Sequence, residues 1–284
     1  VLLHDQENAE AARRFALLSQ DEKRSADLRT RGSIALAHID AEQGRMRAAV
    51  ERLRALTIPG KTRIYADYAN SPLSLIPREQ LEAMRTEILA MDSVPTDSSA
   101  GQQARPYARL YRAAVLSCRL RDHATAAQYA QRLRSMQAPE HWKPSLAMLA
   151  DEIDAQIDLD NGRPGEALRR LEQHRTVLAF DIGQIFSWGS SLPAWRAEAL
   201  FRAQRYDEAA QWFDNLDDAI VSDMPHVAYL LLRRAQIADA RNESEKARDL
   251  YARFLKLWDK PDPELQPVVD QARNRLAALQ AKVG

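Results

Sequence analysis

A small residue recurs about every 40 positions along this chain, each time where the second helix of a predicted hairpin begins. The residues are Ala126, Ala167, Ala209 and Ala247, at spacings of 41, 42 and 38 residues by subtraction, and an earlier copy centres on Ala49. Ala49 and Ala126 are 77 residues apart, close to two periods. A helical hairpin cannot bury its apolar face alone, so a repeat of this kind is typical of stacked hairpins. The spacing therefore predicts an all-α superhelix with a period of about 38–42 residues.

The repeats predict one array rather than separate domains. We expect residues 1–284 to form a single helical-repeat array: a weaker N-terminal part over 1–92, a polar linker at about 92–106, clearer repeats over 107–258 and a capping helix at about 263–281. Asp262-Pro263 is a suitable start for that last helix. Ser19 and Glu22 form an S-x-x-E pattern, which predicts a helix N-terminal cap.

Three segments carry a resemblance to a known family. Ala197, Ala209 and Phe213 place small residues where two helices meet and an aromatic residue later in the second helix, and residues 235–251 and 162–171 repeat parts of this layout. In this respect the chain resembles the tetratricopeptide family, although its period exceeds that family's usual length of about 34 residues and most first helices lack the expected aromatic residue. The resemblance implies a tetratricopeptide-like α-α superhelix (solenoid).

A second resemblance concerns the C-terminal part of the chain. Residues 247–279 are similar to repeat segments appended to bacterial Ser/Thr protein kinases and transcription regulators. The chain begins Val1-Leu2-Leu3, without Met and without the basic N-terminal region of a signal peptide. We therefore expect no signal peptide, and we expect the chain to be a processed product or a fragment of a longer protein. Both resemblances imply a regulatory part of a bacterial signalling protein. They do not determine the compartment. The cytoplasm is slightly favoured, and an extracytoplasmic location is the alternative if the parent is a membrane-anchored kinase.

Charge and composition exclude several classes of partner. The chain has 40 basic and 40 acidic residues and a pI near 7.2, so no long-range attraction draws it to nucleic acid or to an anionic membrane. The longest uncharged run, residues 182–195, is too short to span a bilayer. Only 9 glycines are present, which fits a chain made almost entirely of helices.

The sequence contains no recognisable catalytic or cofactor motif. Phosphate-binding glycine loops and kinase signatures are absent, and the 6 histidines form no metal-ligand pattern. Cys118 is expected to be reduced, buried and inert. Asp151, Asp154 and Asp158 lie on one helix face, with Arg169 and Arg170 nearby in the next helix, and are expected to form a solvated face or interhelical ion pairs. We therefore predict a protein that is not an enzyme and that needs no cofactor or metal ion.

Tetratricopeptide-like arrays turn their first helices toward a concave groove. The register of the aligned alanines places twelve polar and aromatic residues on that face: Tyr111, Arg112, Arg119, Glu152, Gln156, Trp195, Glu198, Arg202, Tyr229, Arg233, Gln236 and Asp239. Tyr, Trp and Arg are common at recognition surfaces. The alternative for Trp195 and Tyr229 is packing between repeats, while Trp142, Trp212 and Trp258 are expected to pack in hairpin cores or junctions.

The leading hypothesis is a protein-interaction or regulatory scaffold that binds a partner peptide or helix in this groove. One alternative is a ligand-sensing domain attached to a kinase or transcription regulator, which would need a closed groove with converging polar groups. Another is self-assembly through the terminal helices, so the oligomeric state stays open.

Overall fold

The computed structural model describes residues 7–58, 61–72, 76–91, 99–174, 191–216 and 226–281. These residues form α-helices joined by turns and two short 3₁₀ segments, with no strand among them. The helices are α1 (Glu7–Gln20), α2 (Ala26–Glu42), α3 (Met46–Arg54), α4 (Lys61–Ala69), α5 (Arg78–Ala90), α6 (Ala100–Gln103), α7 (Arg105–Arg119), α8 (His123–Ser135), α9 (Lys143–Asp160), α10 (Pro164–Glu172), α11 (Ser191–Arg202), α12 (Tyr206–Asp214), α13 (Val227–Ala240), α14 (Ser244–Leu257) and α15 (Gln266–Ala281). The all-α prediction is confirmed.

The chain divides into two compact units. Unit 1 contains residues 1–61 and 217–284, and unit 2 contains residues 62–216. Unit 1 therefore holds the hairpins α2–α3 and α13–α14 with α1 and α15, and unit 2 holds the hairpins α7–α8, α9–α10 and α11–α12 with α5 and α6. Helix α4 begins at the boundary between them.

Five hairpins share one turn geometry. In each, a residue with positive φ follows the first helix: Gly44, Arg121, Gly162, Gln204 and Asn242. The next residue donates its N–H to the carbonyl five positions earlier, as in the bond from Arg45 to Asp40 at 2.8 Å and its counterparts from residues 122, 163, 205 and 243. This bond and the left-handed residue define a Schellman helix end. The repeat seen in the sequence is therefore also a repeat of backbone geometry.

Small residues are buried on both sides of each turn. The five alanines that define the sequence repeat are fully buried, and so is a second alanine twelve positions before each of them: Ala37, Ala114, Ala155, Ala197 and Ala235. A methyl side chain lets two helix backbones approach closely, so this pair allows the two helices of a hairpin to pack together. A larger residue there would overpack the junction.

Two of the turns contain ion pairs at equivalent positions. Asp40 accepts from Arg45, with a shortest distance of 2.7 Å, and from Arg52 at 3.1 Å. The equivalent Asp158 in unit 2 pairs with Arg163 and Arg170. In both hairpins a buried carboxylate therefore connects the turn to the second helix.

Unit 1 joins the beginning and the end of the chain. The Trp258 indole donates to the Glu42 carbonyl oxygen at 2.9 Å, and the Asp262 backbone N–H donates to the Gly44 carbonyl at 2.8 Å. Asp262 Oδ2 then accepts from the Arg47 N–H at 2.8 Å, which caps the N-terminus of α3. We call residues 258–265 the C-terminal clasp, because they close both ends of the α2–α3 turn.

Some local predictions need correction or fall partly outside the described residues. The predicted cap at Ser19 is wrong, because Ser19 lies in the last turn of α1 and Ser25 caps α2. Within the predicted linker, residues 92–98 lie outside the described residues, and α6 and the start of α7 occupy much of the rest. A helix is confirmed after Asp262-Pro263. Trp142 and Trp258 are buried as expected, whereas Trp212 is half-buried beneath Arg196.

Candidate functional site

The twelve predicted recognition residues differ in exposure. Tyr111, Arg112, Glu152, Gln156, Trp195 and Glu198 of unit 2 and Tyr229 of unit 1 are buried; Arg119, Arg233, Gln236 and Asp239 are half-buried; Arg202 is exposed. For Trp195 and Tyr229, this burial agrees with the alternative of packing within the fold. That a partner contacts the twelve residues stays a prediction.

Asn70 connects four of the elements in unit 2. It follows α4, and its Nδ2 donates to Tyr111 Oη at 3.2 Å and to Glu152 Oε1 at 3.0 Å. Its Oδ1 accepts from Gln156 Nε2 at 2.8 Å and from Trp195 Nε1 at 3.0 Å. An amide has two donor hydrogens and two acceptor lone pairs, so Asn70 uses its full hydrogen-bonding capacity.

The other members of this group also bond to one another. Tyr111 Oη donates to Glu152 Oε1 at 2.9 Å, and Gln156 Nε2 makes a longer contact of 3.4 Å with the same oxygen. Asn70, Tyr111, Glu152, Gln156 and Trp195 form what we call the polar cluster. It joins α7, α9 and α11 to the end of α4, and buried polar groups satisfied in this way fix one arrangement of the helices.

Asn70 was not predicted from the sequence. It lies between the Ala49 and Ala126 repeats, in a stretch where no hairpin was recognised, and Asn-Ser-Pro reads locally as a turn. No periodic signal marks it, because its role depends on residues 41 to 125 positions away in the chain.

Arg119 lies at the edge of the polar cluster. Its guanidinium stacks over the Trp195 ring at 5.1 Å from the centroid, and its Nη2 donates to Gln156 Oε1 at 3.3 Å. Among the described residues no carboxylate lies within ion-pair distance of Arg119, and its buried Nε has no hydrogen-bond partner. Burial lowers the pKa of this guanidinium. The side chain is nevertheless half-buried rather than closed off from solvent.

Arg202 lies near Arg119 and has its own partners. Its Nε donates to the buried carboxylate of Glu198 at 2.7 Å, and its Nη1 donates to the Leu159 carbonyl at 3.3 Å. Arg202 is close enough to Arg119 to contribute to the lowered pKa of that residue, because two like charges oppose each other. We call Arg119 and Arg202 the rim arginines.

Arg112 occupies a different part of unit 2. Its Nη1 donates to Thr62 Oγ1 at 3.1 Å, and burial lowers the pKa of its guanidinium to about 10. Because Arg112 is almost completely buried, it contributes to the interior rather than to an accessible surface.

In unit 1 the structure brings three of the predicted residues together. Arg233 lies over the Tyr229 ring at 5.6 Å from the centroid and donates to Gln236 Oε1 at 2.7 Å. Asp239 instead pairs with Arg275 of α15, with a distance of 2.7 Å for one of its bonds. The cation in this group therefore stacks on an aromatic ring, as Arg119 does in unit 2.

The acidic stripe of α9 forms interhelical ion pairs. Asp151 and Asp154 pair with Arg134 of α8, and Asp158 pairs with Arg170 of α10 at 2.7 Å. Arg169 pairs with Glu166 on its own helix instead. Of the two expected alternatives, interhelical ion pairing is observed, and it uses Arg170 rather than Arg169.

Three general features of the described residues concern reactivity, metal binding and membranes. Cys118 is free and fully buried, and burial raises the pKa of its thiol to about 12, so it is a weak nucleophile. Within the same residues no group of three or more His, Cys, Asp and Glu side chains could hold a metal ion. None of the described helices is both long and apolar enough to cross a bilayer.

Comparison with known proteins gives no relative from which a function could be transferred. Searches against known protein families, curated proteins and solved structures each found no match.

Proposed function

We propose that unit 2 is a non-enzymatic recognition module that binds a protein or peptide partner at the rim arginines. The observation that carries this proposal is the arrangement of Arg119: a half-buried guanidinium, held by Trp195 and Gln156, with no carboxylate partner among the described residues. Arg is enriched among residues that dominate binding energy, particularly where its orientation is fixed before binding.

The polar cluster supports this proposal by a different route. Its members are buried and hydrogen-bonded to one another, so a partner would not contact them directly, but they can hold the side chains that a partner contacts. A guanidinium that is already oriented loses less side-chain entropy when a partner binds. In this proposal the cluster positions the rim arginines, and the rim arginines make the contact.

We propose that the fold is a tetratricopeptide-like array and that the parent is a larger bacterial signalling protein. The five Schellman turns and the ten buried alanines support the array. The parent protein is proposed on the sequence resemblance of residues 247–279 alone.

A second candidate function is ligand sensing by unit 2. The feature that favours it is the convergence of Asn70, Tyr111, Glu152, Gln156 and Trp195 in a closed interior. In that case a small molecule would bind by replacing some of the bonds inside the cluster. Ligand-dependent protection of the cluster in hydrogen exchange, with no captured protein, would favour this second function.

Affinity capture with matched variants tests the first proposal. Buried Trp195 and Tyr229 should be left intact, because replacing them would damage the fold. The test variant is Arg119→Gln with Arg202→Gln, and the control is Arg109→Gln, which changes another cation on α7 whose contacts are the Leu89 and Met91 carbonyls.

All proteins are first checked for equal helicity by circular dichroism. We expect one or more proteins to be captured by the wild type and by the control but not by the double variant. Direct binding of the purified partner should repeat this order. Equal capture by all three proteins would overturn the proposal, and so would the absence of any captured protein.

A further inference from the structure

We infer that Arg119 binds one carboxylate group of its ligand. This inference deepens the proposed function and depends on it, because it names the chemistry that the rim arginines recognise. Around Arg119 the acidic groups are already used: Asp160 pairs with Arg121 at 2.8 Å and contacts His123 at 3.1 Å, and Glu198 pairs with Arg202.

Arg119 is therefore the cation of this neighbourhood that lacks an anion among the described residues. The Trp195 ring, 5.1 Å from the guanidinium carbon, can cover only one face of the group, and Arg119 as a whole is half-buried rather than enclosed. The bond to Gln156 uses one of its five N–H donors. A guanidinium edge matches the two oxygens of a carboxylate, which it can bind through two parallel hydrogen bonds.

Charge favours a carboxylate over a phosphate. A phosphate monoester carries about −1.5 to −2 charges at pH 7, whereas a carboxylate carries one. Arg119 has no ion-pair partner among the described residues, and Asp160, which lies close enough to interact with it electrostatically, would repel a second negative charge. A single negative charge is therefore what the site can neutralise.

The bound carboxylate would also relieve one cost. Arg121 and Arg202 both lie close enough to Arg119 to repel its positive charge, and an anion beside Arg119 would reduce this repulsion. The anion-bound state is therefore more favourable than the free one.

The first experiment measures carboxylate binding directly. The Nε–Hε signals of Arg119 and Arg109 are assigned by NMR with Arg119→Gln and Arg109→Gln, and sodium acetate is titrated at constant ionic strength against sodium chloride. We expect the Arg119 signal to shift and saturate with acetate, and the Arg109 signal to stay unchanged. No saturable shift at Arg119, or an equal shift at both, would overturn the inference even if a partner protein is captured through the rim arginines.

The second experiment identifies the source of the carboxylate. Fluorescence polarisation compares twelve-residue peptides in matched pairs, Glu against Gln within the chain and free acid against amide at the C-terminus, with succinate as a small competitor. We expect an acid to bind about tenfold more tightly than its amide, and this ratio to be lost in Arg119→Gln but kept in Arg109→Gln. Arg119→Lys, which keeps the charge without the planar fork, should retain part of the preference.

The outcomes separate the inference from the proposed function. Acidic peptides that bind with this preference support a peptide ligand. Saturable binding of acetate and succinate at Arg119 without binding of any peptide supports a small carboxylate in the ligand-sensing function. Peptides that bind equally as acid and amide would refute the carboxylate inference while leaving the recognition function in place.

Discussion

Replacing Asn70 with Ala tests whether the polar cluster holds unit 2 together. The change leaves the Trp195 indole N–H without its acceptor, and leaves Gln156 Nε2 with only its 3.4 Å contact to Glu152. Each buried donor left without a partner costs about 1–3 kcal/mol, although water entering the space can recover part of this. We therefore expect the free energy of unfolding of unit 2 to fall by about 3 kcal/mol.

Urea unfolding followed by circular dichroism and tryptophan fluorescence measures this loss. The control is Asn215→Ala at the exposed end of α12, which should change the free energy by less than about 0.5 kcal/mol. Hydrogen exchange should show faster opening in α9 and α11, where the cluster residues lie. A loss below about 1 kcal/mol for Asn70→Ala, or one equal to the control, would refute the view that the cluster fixes these helices.

Three further predictions concern unit 1. Gly44→Ala should lower the free energy of unfolding by more than about 2 kcal/mol, because its new Cβ would lie 2.9 Å from Pro261 Cβ. Gly162→Ala in the equivalent turn of unit 2, where no atom lies within 4 Å, should lower it by only about 1 kcal/mol, and thermal unfolding compares the two variants. Asp262→Ala should lose about 1 kcal/mol in urea unfolding, because it removes the cap of α3; an unchanged midpoint would argue against the clasp. Burial raises the pKa of Glu42 to about 8, so the folded state favours the protonated carboxyl group, and the stability that is fully present below about pH 4.5 is lost as the pH rises through 8. The free energy of unfolding of Glu42→Gln should therefore exceed that of the wild type by about 2–4 kcal/mol at pH 9 but not at pH 4, as measured by urea unfolding at both pH values.

The sequence predicted the parts of the fold that depend on local periodicity. The aligned alanines locate five hairpins correctly because small size is required at every close helix crossing, whatever the neighbours are. The turn at Gln204-Arg205 could be located even without glycine, since apolar positions on both sides mark it.

What the sequence did not reveal depends on residues far apart in the chain. Asp262 caps a helix that begins more than 200 positions earlier, and no local pattern identifies such a cap. For the same reason, the register of the first helices could identify Tyr111, Glu152 and Trp195 as a group but could not show that Asn70 would join them in a buried cluster. Because these residues are buried in the cluster, fewer of the twelve predicted residues are accessible than the register indicated.

Site-specific photo-crosslinking tests whether a partner contacts unit 2 at the rim arginines. A photoreactive p-benzoylphenylalanine is placed at Arg202, on the rim, or at Arg132, an exposed position on α8, the second helix of its hairpin. After a partner has been captured and purified, it is irradiated with each variant and the adducts are located by mass spectrometry. We expect adducts from position 202 and none from position 132. Adducts from position 132 alone would contradict binding at the rim arginines.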